Sequence, residues 1–419
     1  MPGLPGIIKK EEIMRFRYVC SDCGRVYKTD DIMYLCPECS KDNDGKTFSK
    51  GNLIVELTDE VLKKAGKKEH VRAEDFYPYE VKHSKEFPIG ITPLVEAKRL
   101  NSRSGLKNTL YKLDSQLISG SFKDRASYLV AEQALCHNEK KIALASTGNA
   151  GAAMSAVGAA LGLDIILFVP ENAPINKLMQ SVLYGAHVVP VKGSYDDAFN
   201  LSIEYTKRFG GINRNTAYNP MTIEGKKSIS IELFEQMGRK APDAIYVPVG
   251  DGCIIAGVAK GFMDLKKAGL IDTLPHIICA QSDKSDAITK AFESGEYLPV
   301  KATTRADSIS VSLPANGRMA VRYIKESDGW CVRVSDEEII DAELELAKEA
   351  GILSEPAAAC AYAAYKKDAE NIKKKLGEDA SVVVLLTGTG FKDMAVFDGK
   401  VKLPKAIDAT VEEVGKLDF

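Results

Sequence analysis

The sequence predicts a two-lobed α/β protein preceded by a small four-cysteine ribbon. Three observations lead there. Short apolar strands alternate with helical stretches from about residue 88 onward. Several of those strands end in turns of glycine and hydroxyl residues. Two Cys-x-x-Cys pairs stand together near the N-terminus. At 419 residues the chain exceeds what one hydrophobic core usually supports, so more than one domain is expected.

The ribbon comes first, in residues 1–50. Cys20-Ser21-Asp22-Cys23 and Cys36-Pro37-Glu38-Cys39 are separated by 12 residues. Each pair offers two sulfurs from one tight turn, and Gly24 and Pro37 sit where such turns need them. Together they suit a tetrahedral four-thiolate zinc site. A segment this small has almost no core, so the metal would supply most of its folding energy, on the order of 10 kcal/mol. The plain alternatives are a ribbon that has lost its metal, or a redox pair. A complete set of four ligands argues against loss. Ribbons also bind nucleic acids and proteins, so this one alone does not define an enzyme. Residues 51–87 are polar and charged and read as a linker with short helices.

Strand and helix then alternate. Thr109–Leu113 reads as a strand, and Ala126–Cys136 as a helix. Ile142–Ala145, Asp164–Val169 and His187–Val191 read as strands separated by helices. Ala244–Val249, His276–Ala280 and Ser381–Leu386 form a second strand set. Continuous apolar strands between helices mean buried parallel sheets. The expected division is a large α/β domain from 88–126 and 230–419, with a small α/β domain at 127–229 between. No internal repeat appears.

Lys123 lies in Ser119-Gly120-Ser121-Phe122-Lys123-Asp124-Arg125, near the start of a predicted helix. The positive end of a helix disfavours an ammonium, and a lysine that can lose its charge can attack an aldehyde. Most lysines are solvated surface residues, so the surrounding turns decide. Ligands of open α/β sheets bind beyond the carboxyl ends of the strands. Ser146-Thr147-Gly148-Asn149-Ala150-Gly151 places hydroxyls and N–H groups at a helix start, where a carboxylate or phosphate binds, or where Ser or Thr simply caps the helix. Gly250-Asp251-Gly252-Cys253-Ile254 can converge its N–H groups on an anion. It lacks both Gly-Lys-Ser/Thr and the dinucleotide glycine spacing, so a compact phosphate monoester fits best. Thr387-Gly388-Thr389-Gly390 presents a hydroxyl after an apolar strand. A lysine nucleophile, an anion nest, an asparagine loop and a strand-end hydroxyl are the parts that hold pyridoxal phosphate.

These motifs occur in the order of a known family. Gly120–Arg125, Ala145–Asn149, Asn219-Pro220 with Glu224-Gly225, Pro248–Gly252, Ser354-Glu355-Pro356-Ala357 and Leu386–Gly390 resemble the threonine synthases. These are fold-type II pyridoxal-phosphate enzymes, with the tryptophan synthase β-like fold. The resemblance spans about residues 88–393, and some members carry an N-terminal zinc ribbon. It implies that Lys123 is the Schiff-base lysine and then the proton carrier, with Phe122 packed beside it. It implies that Asn149 bonds the cofactor's ring oxygen. Gly250, Asp251, Gly252, Cys253 and Ile254 would hold its phosphate, and Thr387 would meet its ring nitrogen. A neutral hydroxyl there favours elimination and replacement over transamination. Ser146, Thr147, Gly148, Asn149 and Ala150 would bind the substrate carboxylate, and Cys20, Cys23, Cys36 and Cys39 the zinc. The implied reaction converts O-phosphohomoserine and water to threonine and phosphate. A homodimer is implied as well.

The chain departs from the family at two places. Threonine synthases carry Asn-Pro-x-Arg-x-Glu-Gly, whose arginine is linked to the substrate phosphate. Here Thr222 stands at that place, and threonine cannot replace a bidentate arginine. Lys112, Lys226, Lys227 and Arg318 are the cations that would compensate. Leu117-Ile118 also replaces the usual Asn-Pro before the lysine motif. Elimination or replacement at Cβ of a smaller amino acid therefore stands as a rival: serine/threonine dehydratase, diaminopropionate ammonia-lyase or cysteate synthase. A non-catalytic ribbon module is the rival of another class, and intact Lys123, Asn149 and Thr387 oppose it.

Composition fits an enzyme of small molecules. Net charge is −2, with 45% hydrophobic and 27% charged residues, which gives no case for nucleic acid or an anionic membrane as partner. No apolar run is long enough to span a bilayer, and the N-terminus has no secretory pattern. Nine cysteines are too few for a disulfide scaffold, so cytoplasm is the expected compartment. Cys136, Cys253, Cys279, Cys331 and Cys360 read as core residues, Cys253 excepted because it adjoins the nest.

Overall fold

The computed structural model describes residues 15–397, 401 and 405–417. Three sheets organise them. The largest has six strands in the order Cys331–Val334, His276–Ser282, Ala244–Pro248, Val382–Leu386, Thr109–Leu113 and Leu94–Glu96. Every pairing in it is parallel except the last, an antiparallel edge. The second sheet is fully parallel, with order His187–Val191, Asp164–Pro170, Lys141–Ala145, Ile212–Asn213. The chain thus starts the large sheet, builds the small one, and returns.

The apolar runs explain this arrangement. Ala244–Pro248 and Val382–Leu386 are buried at every position. Alternate residues feed two cores. Tyr246, Val382 and Val384 pack under the long helix Pro356–Leu376, while Ile245, Val247, Val383 and Leu385 face helices on the opposite side. A strand covered on both faces needs no polar side, which is why these runs read as continuous.

The expected domain limits meet real elements. The 126/127 boundary falls inside the helix Lys123–Cys136, and the 229/230 boundary inside the helix Ser228–Gln236. The stretch 51–87, expected as a linker with short helices, has those helices but also holds a strand and core residues. Leu53–Leu57 is the third strand of the ribbon sheet, antiparallel to Phe16–Cys20. Its alternating Leu53, Val55 and Leu57 are buried, a two-residue period hidden among charged neighbours. The helix Asp59–Gly66 follows, and Phe76 and Tyr77 are buried in the main core. Cys136 also differs from expectation: it ends its helix and is exposed.

The ribbon is seated on the body at several places, among them the packing of Phe16 on Tyr79 and the pairing of Glu56 with Lys267. Phe48 is fully buried, its N–H bonded to Tyr297 O at 3.0 Å and its carbonyl accepting from Arg318 Nε at 3.2 Å. Tyr34 stacks on Tyr218 with centroids 4.5 Å apart, and its hydroxyl accepts from Asn213 N at 3.0 Å. Asn52 Nδ2 donates to Ala217 O at 3.1 Å.

A buried ionic network anchors the helix that begins at Lys123. Arg125 grips Asp114 with Nε at 2.6 Å and Nη2 at 2.9 Å, and Glu232 with Nη2 at 2.7 Å. Lys112 joins it through Glu232, Thr92 O and Gln236. The helix Met221–Lys226 lies so close that a Cβ on Gly225 would stand 2.3 Å from Arg125 O. Replacing Arg125 by methionine should cost about 3–5 kcal/mol, because two buried carboxylates lose their cation. Urea unfolding of the variant measures this, and a loss under about 1 kcal/mol would contradict it.

Candidate active site

The loop before the lysine is stitched to the third glycine turn. Phe122 N donates to Thr387 O at 2.8 Å, and Thr389 N to Gly120 O at 3.1 Å. Ser121 pairs with Gly388 as an isolated bridge. Gly120 has φ +80°, and a Cβ there would meet Thr389 Cγ2 at 2.9 Å, so only glycine serves. Asp124 accepts from Ser119 N at 2.7 Å and from the Ser119 hydroxyl. Burial pushes the Asp124 acid up to about 6 although both Ser119 bonds oppose it.

Lys123 is the first residue of its helix and is half-buried. Its ammonium is held below the usual lysine range. Burial is the largest cause, Arg214 adds to it, and Glu355 and Asp251 oppose it. The helix start was the sequence argument for a neutral lysine; desolvation is the stronger one.

The nest residues form a cradle. Gly252 has φ +84°, and the helix Cys253–Lys267 starts directly after it. A Cβ on Gly252 would stand 2.8 Å from Ala320 Cβ, and one on Gly250 3.0 Å from Ile309 Cα. Asp251 accepts from Asn316 N at 3.0 Å through its carbonyl. Burial raises the Asp251 acid, and burial also raises the Cys253 thiol to about 12. Cys253 is buried, while Ile254 is half-buried.

Asn149 and Thr387 meet on one carboxylate that the sequence reading did not single out. Asn149 Nδ2 donates to Glu355 Oε2 at 2.8 Å, and Thr387 Oγ1 to Glu355 Oε1 at 3.4 Å. Glu355 is buried, in the Ser354-Glu355-Pro356-Ala357 motif at the start of the long helix. That motif was the signal that could have found it. In the first turn, Ser146 Oγ accepts from Gly148 N at 3.2 Å and Gly151 N at 3.0 Å, so its hydroxyl serves the helix start. Thr147, Gly148, Asn149 and Ala150 are partly exposed. The N–H groups of Asn149 and Ala150, the first two of the helix Asn149–Leu161, are open to an anion by helix geometry.

Thr222 is fully buried, and its Oγ1 donates to Asn219 O at 2.7 Å, so it is a structural residue. Three of the four compensating cations are spent elsewhere. Lys112 belongs to the Glu232 network, Lys227 pairs with Glu224 and Asp264, and Arg318 carries Phe48. Lys226 stays near the nest, within electrostatic reach of Cys253, Lys123 and Asp251. Arg214 joins it from just beyond the two-residue strand Ile212–Asn213. That strand has two residues and no pattern of its own, so nothing in the sequence points to its carboxyl end.

The sulfurs of Cys20, Cys23, Cys36 and Cys39 lie within 4.8 Å of one another, and Cys23 and Cys36 at 3.9 Å. A tetrahedral four-thiolate site with bonds of about 2.3 Å has sulfurs about 3.8 Å apart. Among the described residues no helix is long and apolar enough to cross a membrane.

Residues 85–388 match the family described as pyridoxal-phosphate dependent enzyme. The chain belongs to that family of enzymes. Its relatives there include the threonine synthase of Methanosarcina acetivorans, 31% identical over 413 residues that cover 96% of this chain and 98% of that one. The threonine synthase of Methanocaldococcus jannaschii is 32% identical over 388 residues, 89% of this chain and 92% of that one. The same fold occurs in threonine deaminase isoform 2 of Solanum lycopersicum, with TM-score 0.63, 23% identity, and coverage of 73% of this chain and 87% of that one. Diaminopropionate ammonia lyase of Escherichia coli shares it too, with TM-score 0.64, 19% identity, and coverage of 75% and 90%. The two-lobed fold-type II architecture read from the motifs is thus the fold of this chain.

One buried acid beside the site titrates in an accessible range. Neither oxygen of Glu343 has a hydrogen-bond partner among the described residues. Burial pushes its acid up to about 8, and Asp393 and Glu355 push the same way. The folded state therefore keeps a proton that the unfolded chain releases above about pH 4.5. Stability from this group should fall as pH rises from there to about 8, by on the order of 5 kcal/mol. Glu343→Gln should remove that slope. Melting curves of both proteins across the range test it, and parallel curves would refute it.

Proposed function

We propose that this chain is a threonine synthase, converting O-phosphohomoserine and water to threonine and inorganic phosphate. The observation that carries the reading is a half-buried lysine with a depressed ammonium beside a glycine cradle, in a chain alignable to nearly all of a curated threonine synthase. The nest fits the phosphate of pyridoxal phosphate in its chemistry, since the turn at Gly252, with φ +84°, leads straight into the first N–H groups of the helix Cys253–Lys267. When bound, the cofactor supplies an electron sink for carbanion chemistry next to the amino carbon.

The residues have these roles in the reading. Lys123 holds the cofactor, removes the proton at Cα, and carries protons while the γ-phosphate leaves and water adds at Cβ. Phe122, Asn149 and Thr387 orient the ring, and Glu355 accepts from both polar groups and fixes their aim. Gly250–Ile254 takes the cofactor phosphate. The turn from Ser146 to Ala150 takes the substrate carboxylate. Cys20, Cys23, Cys36 and Cys39 hold a structural zinc. The large and small lobes act as the two domains, in a cytoplasmic homodimer as the resemblance implies.

A second reading has a specific observation behind it. Thr222 stands at the arginine position and is spent on Asn219. An enzyme of β-elimination or β-replacement on a smaller amino acid would not need that arginine.

The test is a product assay on purified protein with O-phosphohomoserine, O-phosphoserine, serine, threonine and diaminopropionate. Threonine and phosphate are expected from the first. Ammonia, pyruvate or 2-oxobutyrate from another, with silence on the first, would establish the second reading. Lys123→Ala should lose activity and the visible band of the lysine-bound cofactor, at roughly 410–420 nm.

A further inference from the structure

Buried charges are normally paired. Two buried cations next to the nest are not. Arg214 is fully buried, with Nε donating to Ser127 Oγ at 3.3 Å and Nη1 to Thr216 Oγ1 at 2.9 Å. Its Nη2 has no partner, and no carboxylate pairs with it among the described residues. Lys226 is fully buried, and its Nζ donates only to Thr222 O at 2.7 Å. Their neighbours show the contrast. Arg125 has Asp114 and Glu232, and Lys227, next in sequence to Lys226, has Glu224 and Asp264.

The cations reach the nest from two elements: Lys226 packs on the nest helix, where a Cβ on Gly257 would stand 2.5 Å from its own Cβ, and Arg214 is held on the helix of Lys123 by Ser127. Each lies within electrostatic reach of Cys253, the first residue of the nest helix, and Lys226 feels Arg214, Lys123 and Asp251 as well. Burial brings Arg214 down to about 10 and Lys226 to about 7, as expected of buried cations that no carboxylate pairs with directly. The 15-residue helix Cys253–Lys267 has its N-terminus at the nest. A lone carboxylate would satisfy one of these cations. A tetrahedral dianion has oxygens for the N–H groups of the nest, for Nη2 of Arg214 and for Nζ of Lys226.

We propose that Arg214 and Lys226 form the cationic side of a binding site for the phosphate of a phosphate monoester, held at or directly beside the glycine nest, and so supply the positive charge that Thr222 does not. The proposal rests on the reading of the chain as a pyridoxal-phosphate enzyme acting on a phosphorylated amino acid. The phosphate comes either from the cofactor or from the substrate. Arg214 is held in place from behind, because Asn213 N, one residue earlier, is bonded to the hydroxyl of Tyr34.

The test uses the full-length protein with Arg214→Met and Lys226→Met, and Arg214→Lys as the conservative variant. Removal of an unpaired buried charge should leave the apoprotein as stable as wild type or more so, a result that a purely structural ion pair would not give. Inorganic phosphate should raise the melting temperature of wild type, and this response should be lost in both methionine variants and partly kept in Arg214→Lys. If the cofactor's phosphate is held, the Kd for pyridoxal phosphate should rise tenfold or more while that for pyridoxal stays the same. If the substrate's phosphate is held, KM for O-phosphohomoserine should rise tenfold or more with cofactor affinity kept. Unchanged phosphate response, cofactor affinity and KM in all variants would overturn the proposal. Should one methionine variant fail to fold, the other carries the test. A wild type that answers inorganic phosphate but binds no pyridoxal phosphate would refute the enzyme reading and leave the site standing.

Discussion

The grip of Arg125 on Asp114 and Glu232 is the constraint on which the site depends. Asp114 follows the strand Thr109–Leu113 directly, and Glu232 belongs to the helix Ser228–Gln236. Arg125 therefore ties three elements distant in sequence at a point two residues from Lys123. Its guanidinium stays protonated despite full burial, since the two carboxylates outweigh the cost of desolvation. With that end fixed, the loop before Lys123 can only run along the turn Thr387–Thr389, and its backbone bonds place the lysine against the strand ends.

Much of this was legible in the sequence, and the reason is physical. Strands covered on both faces must be apolar throughout, so Val382–Leu386 and Ala244–Pro248 announce themselves. The lysine loop and the nest were legible because close backbone approach admits only glycine at Gly120 and Gly252. The rest depended on contacts between distant residues. Leu53–Leu57 is a strand only because Phe16–Cys20 lies beside it. Ile212–Asn213 has two residues and no pattern of its own. Arg214 sits between two asparagines, and nothing local distinguishes a buried arginine from an exposed one. Glu355 was quoted within its motif, yet its meeting with Asn149 and Thr387 joins positions 206 and 32 residues away.

The interior of the site carries an unusual set of charges. Lys123 faces Glu355 and Asp251, Lys226 faces Asp251 and Arg214 has no carboxylate opposite it, and burial disfavours the charge on each of the three cations. The same burial raises Asp251 and Cys253. Such a chamber is poorly satisfied by itself and well suited to anionic occupants. An enzyme that must lower the charge on one lysine while keeping cations ready for a phosphate has use for both effects, and one desolvated space provides them.

The contacts of Tyr34 and Asn52 with residues 213–218 join the ribbon to the wall of the site. Ala217 holds φ +67°, an unfavourable conformation for a residue with a side chain, and its carbonyl is the one that Asn52 binds. The ribbon thus helps to keep a strained stretch in shape. Thermodynamic reciprocity then applies: whatever free energy the ordered ribbon lends to anion binding at Arg214, a bound anion must return to the ribbon. A metal held by the four cysteines would then bind more tightly when an anion occupies the site than when it is empty.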